Sequence, residues 1–341
     1  MKTTLNGTRK PCIALIATGG TIAGVGPKPD AGAAPSAAYQ SAVTPADELV
    51  SAVPGLSGMA QLKTEQLLQI DSADFTDERL LLLARRVAAL CDQDDIDGVV
   101  VTHGTDTLEE SAYFLHLTVP STKPVVLTGA MRPGTALAPD GPLNLLHAVA
   151  VAAHPSSSGR GVLVVMNEDI HSARDVTKSH TMRVNAFTSP YGPLGSVVEG
   201  VPRWYRVVAR PHTTASEFGI GQIDHLPLVG IVTSHGQMRS ESFDAWTSLG
   251  AKAIVYAGFG GGTVPLALQP ALRELGAQGV CVVRASRVGS GPVIRNASFD
   301  DDACDSVVVD DQNPPRARLL TALALAKSYT AAELQQVLWR Y

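Results

Sequence analysis

Cysteine is scarce in this chain and poorly spaced for chemistry: Cys12, Cys91, Cys281 and Cys304 are the only ones in 341 residues. No Cys-x-x-Cys pair occurs, which excludes the common zinc and dithiol arrangements and a disulfide-stapled fold. Three of the four lie in or beside apolar segments, where cysteine serves as a small core residue. Long hydrophobic runs are missing too. No stretch approaches the roughly 18 apolar residues that a membrane span needs. Met1 to Lys10 is polar and leads straight into an apolar strand, so no signal peptide is read and a cytoplasmic protein is expected. There is no large excess of one charge. A formal net charge of −5 gives no footing for nucleic acid or an anionic membrane, and a small neutral or zwitterionic substrate fits better. Neither G-x-S-x-G nor H-E-x-x-H is present, which disfavours a serine hydrolase elbow and a zinc protease. The nine histidines show no ligand spacing, so no metal is expected. Tyr256-Ala-Gly-Phe-Gly-Gly-Gly-Thr263 lacks the G-x-G-x-x-G spacing of a dinucleotide turn, so no cofactor is expected either.

What is present is the composition of a folded protein, 45% hydrophobic and 17% charged, with enough length for two domains. The apolar run that starts at Ile13 stops abruptly at Gly19-Gly20-Thr21, a buried strand feeding a tight turn. Adjacent glycines allow positive φ and close approach of the backbone to a ligand, which can hold the Thr21 hydroxyl at the carboxyl end of a strand. Gly98 to Glu110 repeats the plan: strand, glycine, then Thr105, Asp106 and Thr107, then a helix from Thr107 to Leu117. Asp106 reads equally as a helix cap.

Between these corners lies Gly24 to Val43, rich in Gly, Pro and Ala and carrying one aromatic, Tyr39. It reads as a lid over the first corner or as a surface loop. A short helix begins at Thr44-Pro45 and ends at Pro54-Gly55. A strand from Leu62 to Ile70, a helix from Thr76 to Cys91, strands at Val99–Thr102 and Val125–Thr128 and a helix from Leu143 to Ala152 follow. This alternation predicts an α/β fold with a mostly parallel sheet flanked by helices. Gly161 to Met166 is another buried strand, and 167–178 reads as a hairpin or loop near the rim. Periodicity fades between Gly200 and Asp224, which reads as a linker. The domains expected are therefore 1–200, a linker at 201–224, and a smaller carboxyl-terminal α/β domain at 225–341. In the latter, strands at Val229–Thr233, Ala253–Tyr256 and Val280–Val283 alternate with helices at 243–249 and 265–275. Two helices close the chain, the last announced by the capping box Thr330-Ala-Ala-Glu333.

The two hydroxyl corners, together with Lys123 to Pro133 (KPVVLTGAMRP) and Ala173 to Lys178 (ARDVTK), closely resemble the bacterial-type L-asparaginases, threonine amidohydrolases that include asparaginase-glutaminases. The resemblance runs from Ile13 to Tyr341. It implies that Thr21 attacks a side-chain carboxamide to form an acyl-enzyme ester, with Tyr39 on the lid helping to activate it. Thr105, Lys178 and Asp106 would form a relay, acting as a coupled set with a water carrying the proton. Ser72 would take the substrate α-carboxylate and Asp106 its α-ammonium, with Gly20, Gly104, Thr105 and Ala130 also lining the substrate. No cofactor or metal is implied, and L-asparagine is the substrate expected. A homotetramer built from dimers is implied as well. From its residue type alone Lys178 is a surface lysine, and Ser72 alone is a turn former.

Three departures stand out. Ser121 occupies the place where some exported members pair a cysteine with the region of Cys91, which supports the cytosol. Ala73 stands where many members carry a glutamine, and Ser298 where a neighbouring subunit's glutamate reaches the site. Each missing polar contact costs on the order of 1–3 kcal/mol if no water replaces it. The expectation is an asparaginase with weak glutaminase activity. Hydrolysis of a different small amide, an amidotransferase subunit and a noncatalytic amino-acid-binding protein are the alternatives.

Overall fold

A computed structural model describes residues 9–26 and 39–341. The chain divides into two compact units, Met1–Ile220 and Gly221–Tyr341.

In the first unit, strand β1 (Cys12–Gly19) is apolar throughout and buried at every position. That is the pattern of a strand covered on both faces. It pairs in parallel with β2 (Gln61–Ile70) on one side and β3 (Gly98–Thr102) on the other. Polar and partly exposed, β2 is the edge of the sheet. Beyond β3 come β4 (Val125–Thr128) and β5 (Val162–Met166), both parallel, then β6 (Asp169–Ser172), β9 (Gly195–Val198) and β10 (Val201–Trp204), each antiparallel to its neighbour. A separate ribbon joins β7 (Thr177–Lys178) to β8 (Phe187–Thr188). The order across the large sheet is β10-β9-β6-β5-β4-β3-β1-β2. From β1 the chain steps one way to β2 and then returns past β1 to β3. Such a reversal parts the connecting loops at the carboxyl ends of β1 and β3, and open α/β sheets bind ligands in that crevice.

Helices α1 (Ala46–Ser51), α2 (Leu56–Met59), α3 (Asp77–Cys91), α4 (Leu108–Thr118) and α5 (Gly141–Ala153) accompany the sheet. The Thr76 hydroxyl caps α3 by accepting from the Arg79 amide, and Leu80, Leu83, Val87 and Leu90 form its buried face. The alanine-rich α5 lies against β3, β4 and β5. Its Leu145, Ala148 and Val149 share a core with Ile13, Leu15, Val100, Val126 and Leu163. Burying each leucine or valine contributes about 1.5–3 kcal/mol. The alternate strand residues, Ala14, Ile16, Val99 and Val101, are buried as well, so both faces are covered.

The hairpin reading of 167–178 holds at its start, where β5 and β6 pair antiparallel across Asn167-Glu168, while β7 leaves the large sheet. Two sequence readings need correction. Val201–Trp204, read as linker, is the edge strand β10, hydrogen-bonded to β9. The helix expected from Pro265 starts later, after a 3₁₀ turn at Leu266–Leu268. Most of the lid reading falls on residues 27–38, outside those described. The ends of that segment are joined by a two-bond bridge between Val25 and Gln40.

The second unit carries β11 (Val229–Thr233), β12 (Ala253–Gly258), β13 (Cys281–Ser286) and β14 (Val307–Val308), parallel and in sequential order. Its helices are α6 (Asp244–Ser248), α7 (Gln269–Ala277), α8 (Pro314–Ala326) and α9 (Ala331–Arg340). The Thr330 and Glu333 side chains form the reciprocal box expected at the start of α9.

Candidate active site

The first turn owes its shape to its glycines. Gly19 and Gly20 have φ of +107° and +79°. A Cβ on Gly20 would stand 2.3 Å from the Gly104 Cα, so the two strand-end turns touch backbone to backbone. Thr21 and Thr105, each next along its chain, therefore leave from adjoining positions on either side of the β1/β3 reversal. Both are buried. A third loop closes on them: a Cβ on Gly129 would lie 2.6 Å from the His103 carbonyl oxygen and 3.3 Å from Thr105 Cγ2.

The Thr21 hydroxyl meets the Tyr39 phenol at 2.6 Å. Tyr39 is held there because its ring lies on Gly24, where a Cβ would be 2.8 Å from the ring edge. The Val25–Gln40 bridge and an Ala42 amide donating to the Gly20 carbonyl tie the same segment down.

On the opposite turn, the Lys178 Nζ donates to Thr105 Oγ1 at 2.9 Å and to Asp106 Oδ1 at 2.6 Å. The lysine is mostly buried and Asp106 is open to solvent. Because Thr105 Oγ1 accepts from an ammonium, its own proton is left pointing away from Lys178. Asp106 makes no side-chain cap to α4; that reading of it gives way to an ion pair.

Ser72 is buried, and its Oγ accepts from the Asp106 amide at 3.1 Å while its carbonyl accepts from the Thr107 hydroxyl at 2.8 Å. With the oxygen so engaged, the Ser72 proton remains to be donated to a ligand oxygen. Gly104 has to be glycine here, since a Cβ would lie 2.5 Å from Ser72 Oγ. Ala130 is different. Its side chain belongs to the core, packed with Ile22 and Leu145, so only its backbone can face a substrate. Its loop is fixed by Asp140, which accepts from the Met131 and Arg132 amides, and by Asn144, which donates to the Gly129 carbonyl. Ala73 is exposed, beside Ser72, and Ser298 is an exposed residue of the second unit.

Two residues of this site carried no role in the sequence reading. His103 is fully buried, with Nδ1 2.7 Å from the Gly104 carbonyl and Nε2 2.9 Å from Ser111 Oγ. A carbonyl only accepts, so Nδ1 carries the proton and Nε2 accepts from the serine. Burial pushes the imidazole down to about 4, so His103 is a neutral strut for the Gly104 turn. Glu109, on the first turn of α4, accepts at Oε2 from the Lys178 amide at 2.6 Å and from the Thr177 hydroxyl at 2.7 Å. In sequence it looks like an ordinary acidic residue at a helix start, where it complements the helix dipole. Nothing in the sequence signals its long-range partners.

Residues 12–210 match the family described as asparaginase, N-terminal, and residues 228–338 match the glutaminase/asparaginase C-terminal domain. The chain belongs to the asparaginase family. A glutaminase-asparaginase of Pseudomonas aeruginosa is 49% identical over 330 residues, covering 96% of this chain and 90% of the relative. L-asparaginase 2 of Escherichia coli is 41% identical over 332 residues, covering 97% and 93%. In three dimensions the chain resembles a crystal structure titled probable cytoplasmic L-asparaginase from Campylobacter jejuni, with a TM-score of 0.92 and 40% identity over 97% of this chain and all of that one. Family membership accounts for the architecture: a large unit with a mainly parallel sheet, and a smaller parallel-sheet unit. Among the described residues no group of three or more histidine, cysteine or acidic side chains is placed to hold a metal ion.

Proposed function

We propose that this chain hydrolyses L-asparagine to L-aspartate and ammonia through an ester on Thr21. The observation that carries the reading is the pairing of two buried threonine hydroxyls on adjoining glycine turns, one bonded to a phenol and the other to an ammonium. Thr21 Oγ bonds to the carboxamide carbon as its proton passes to the Tyr39 oxygen, and the phenolic proton goes on to the departing nitrogen. Ammonia leaves, and water then cleaves the ester. The Thr105 hydroxyl, polarised by Lys178, donates or accepts at the reacting centre in both steps. Backbone amides of the Thr21 and Thr105 turns steady the oxyanion. At the α end of the substrate, Ser72 donates to the carboxylate and the open Asp106 carboxylate receives the ammonium.

The relatives also bear on the second substrate. Three at 46–49% identity are named glutaminase-asparaginases. Their names favour measurable hydrolysis of glutamine by this chain, more than the weak activity expected from Ala73 and Ser298. Ammonia release from asparagine and glutamine by the wild type and by Thr21→Ala decides both points. Activity on asparagine that vanishes in the variant supports the ester mechanism; no release from any small amide would leave a binding protein. A specificity constant for glutamine far below that for asparagine would restore the expectation drawn from the lost polar residues.

A homotetramer and a cytoplasmic location belong to the same proposal. The free Cys91 beside Ser121 is compatible with a reducing compartment. Names of relatives point both ways, since one is called periplasmic and the structural neighbour cytoplasmic. Sedimentation and cell fractionation test these two statements.

A further inference from the structure

Lys178 reaches Thr105 from an unpromising position. It sits on a two-residue strand whose ladder partner is an equally short strand, Phe187–Thr188, outside the large sheet. Two-stranded ribbons of that length are marginal on their own. A long, flexible ammonium-bearing side chain presented from such a ribbon has no intrinsic reason to point at one hydroxyl.

Glu109 supplies the reason. One carboxylate oxygen receives both the Lys178 amide, at 2.6 Å, and the Thr177 hydroxyl, at 2.7 Å. The same lysine's Nζ is bonded to Thr105 and Asp106. Residues 105, 106 and 109 belong to one stretch, the turn into α4 and its first turn. The helix start therefore grips Lys178 at both ends, by the backbone and by the side-chain tip. Glu109 is 7% exposed, so its carboxylate is removed from water and the bonds from Lys178 and Thr177 are of the stronger, charge-assisted kind.

We propose that Glu109 is the positioning residue of this site: it fixes the β7 backbone so that the Lys178 ammonium is directed at Thr105, and it touches no substrate. This rests on the amide-hydrolase reading above. The position matters because a misplacement of about 1 Å at a reacting group can cost on the order of 100-fold in rate.

The test is a double-mutant cycle with a second readout that needs no activity. Glu109→Ala should lower kcat for asparagine about 10- to 100-fold while KM stays within about twofold, since an interaction felt in the transition state rather than in binding is lost. In a Lys178→Met background the same change should lower kcat less than about twofold, because its effect runs through the lysine already removed. Glu109→Gln keeps an acceptor oxygen and should recover most of the loss; if the alanine variant does not fold, Glu109→Leu, which fills the same space without an acceptor, takes its place in the cycle. Reductive methylation of Lys178, read by peptide mass spectrometry, should be faster in Glu109→Ala than in the wild type at equal folded fraction.

A loss of equal size in both backgrounds would overturn the proposal in favour of a general structural role. Unchanged kcat and unchanged methylation in Glu109→Ala would overturn it outright. If the wild type hydrolyses no amide, the functional reading fails by itself, and the methylation rate still decides whether Glu109 holds Lys178.

Discussion

Both units of this protein end a central strand in glycines followed by a threonine, and the two strand ends do opposite things. In the first unit Gly19-Gly20-Thr21 lies where the order β2-β1-β3 reverses, so the turn faces a second turn across a crevice. In the second unit Gly258 to Thr263 follows β12 in a sheet whose order is sequential, β11-β12-β13-β14, with no reversal to open a crevice. That loop folds back through a bridge between Phe259 and Thr263, and the Arg284 guanidinium donates to the Gly262 carbonyl. The ion pairs differ in the same sense. Arg284 and Asp301 are wholly buried, joined by two bonds of 2.6 Å, with Ser306 and the Asn296 amide completing the carboxylate. Lys178 and Asp106 meet through one 2.6 Å contact, and Asp106 is 59% exposed. A closed, satisfied pair holds loops in place. An open pair with spare valences can change partners when substrate arrives.

Substitutions at the open pair test the contrast most severely. Lys178→Met and Thr105→Ala should each reduce kcat by about 10²- to 10⁴-fold, while Lys178→Met changes urea unfolding by less than about 1 kcal/mol, because the carboxylate it pairs with is open to water. A matching loss of stability would mean that the open pair is structural after all. Arg284→Met should do the reverse, removing about 3–5 kcal/mol of stability because Asp301 is left charged in the core without its counter-ion; urea midpoints measure it.

The glycines sharpen the comparison at the level of single atoms. Gly20→Ala places a Cβ 2.3 Å from the Gly104 Cα, at φ +79° and ψ −171°. A conformation that essentially only glycine adopts costs about 1–3 kcal/mol, and the overlap adds about 1–3 kcal/mol more, with loss of activity as the turns part. Gly261→Ala in the other loop meets nothing within 4 Å and carries no positive φ. It should stay within about 0.5 kcal/mol of the wild type by thermal unfolding.

Acid should separate the units by pH. His103, His171 and His116 all lie in the first unit, and burial holds them at about 4, about 4 and about 3. Their folded values lie below the unfolded value near 6.5, so the unfolded chain binds protons first as pH falls. Stability contributed by each is complete above about pH 6.5 and declines by about 1.4 kcal/mol per pH unit down to the folded value. Hydrogen exchange at pH 7, 6 and 5 should show peptides of the first unit losing protection before those of the second. Equal loss in both units would show that they unfold as one.

Much of this protein was legible from local pattern. Continuous apolar runs located β1, β3, β4 and β5 because a strand covered on both faces needs no alternation. Thr330 and Glu333 announced α9 because a capping box is complete within four residues. The Val201–Trp204 strand was missed, since an edge strand with a proline and an arginine carries little apolar signal. Glu109 and His103 were missed for another reason: their partners are chosen in space.

By itself, then, the sequence determined where the chain turns, which segments must be buried, and which hydroxyls stand at strand ends, because these depend on φ, on side-chain branching and on contacts within a few residues. Only the tertiary structure decided that the β1 and β3 turns abut, that Lys178 crosses 73 positions to reach Thr105 and that Arg284 closes the other glycine loop. Strand order and register place those groups, and both are settled by burial of the whole sheet, a quantity that no short stretch of chain contains.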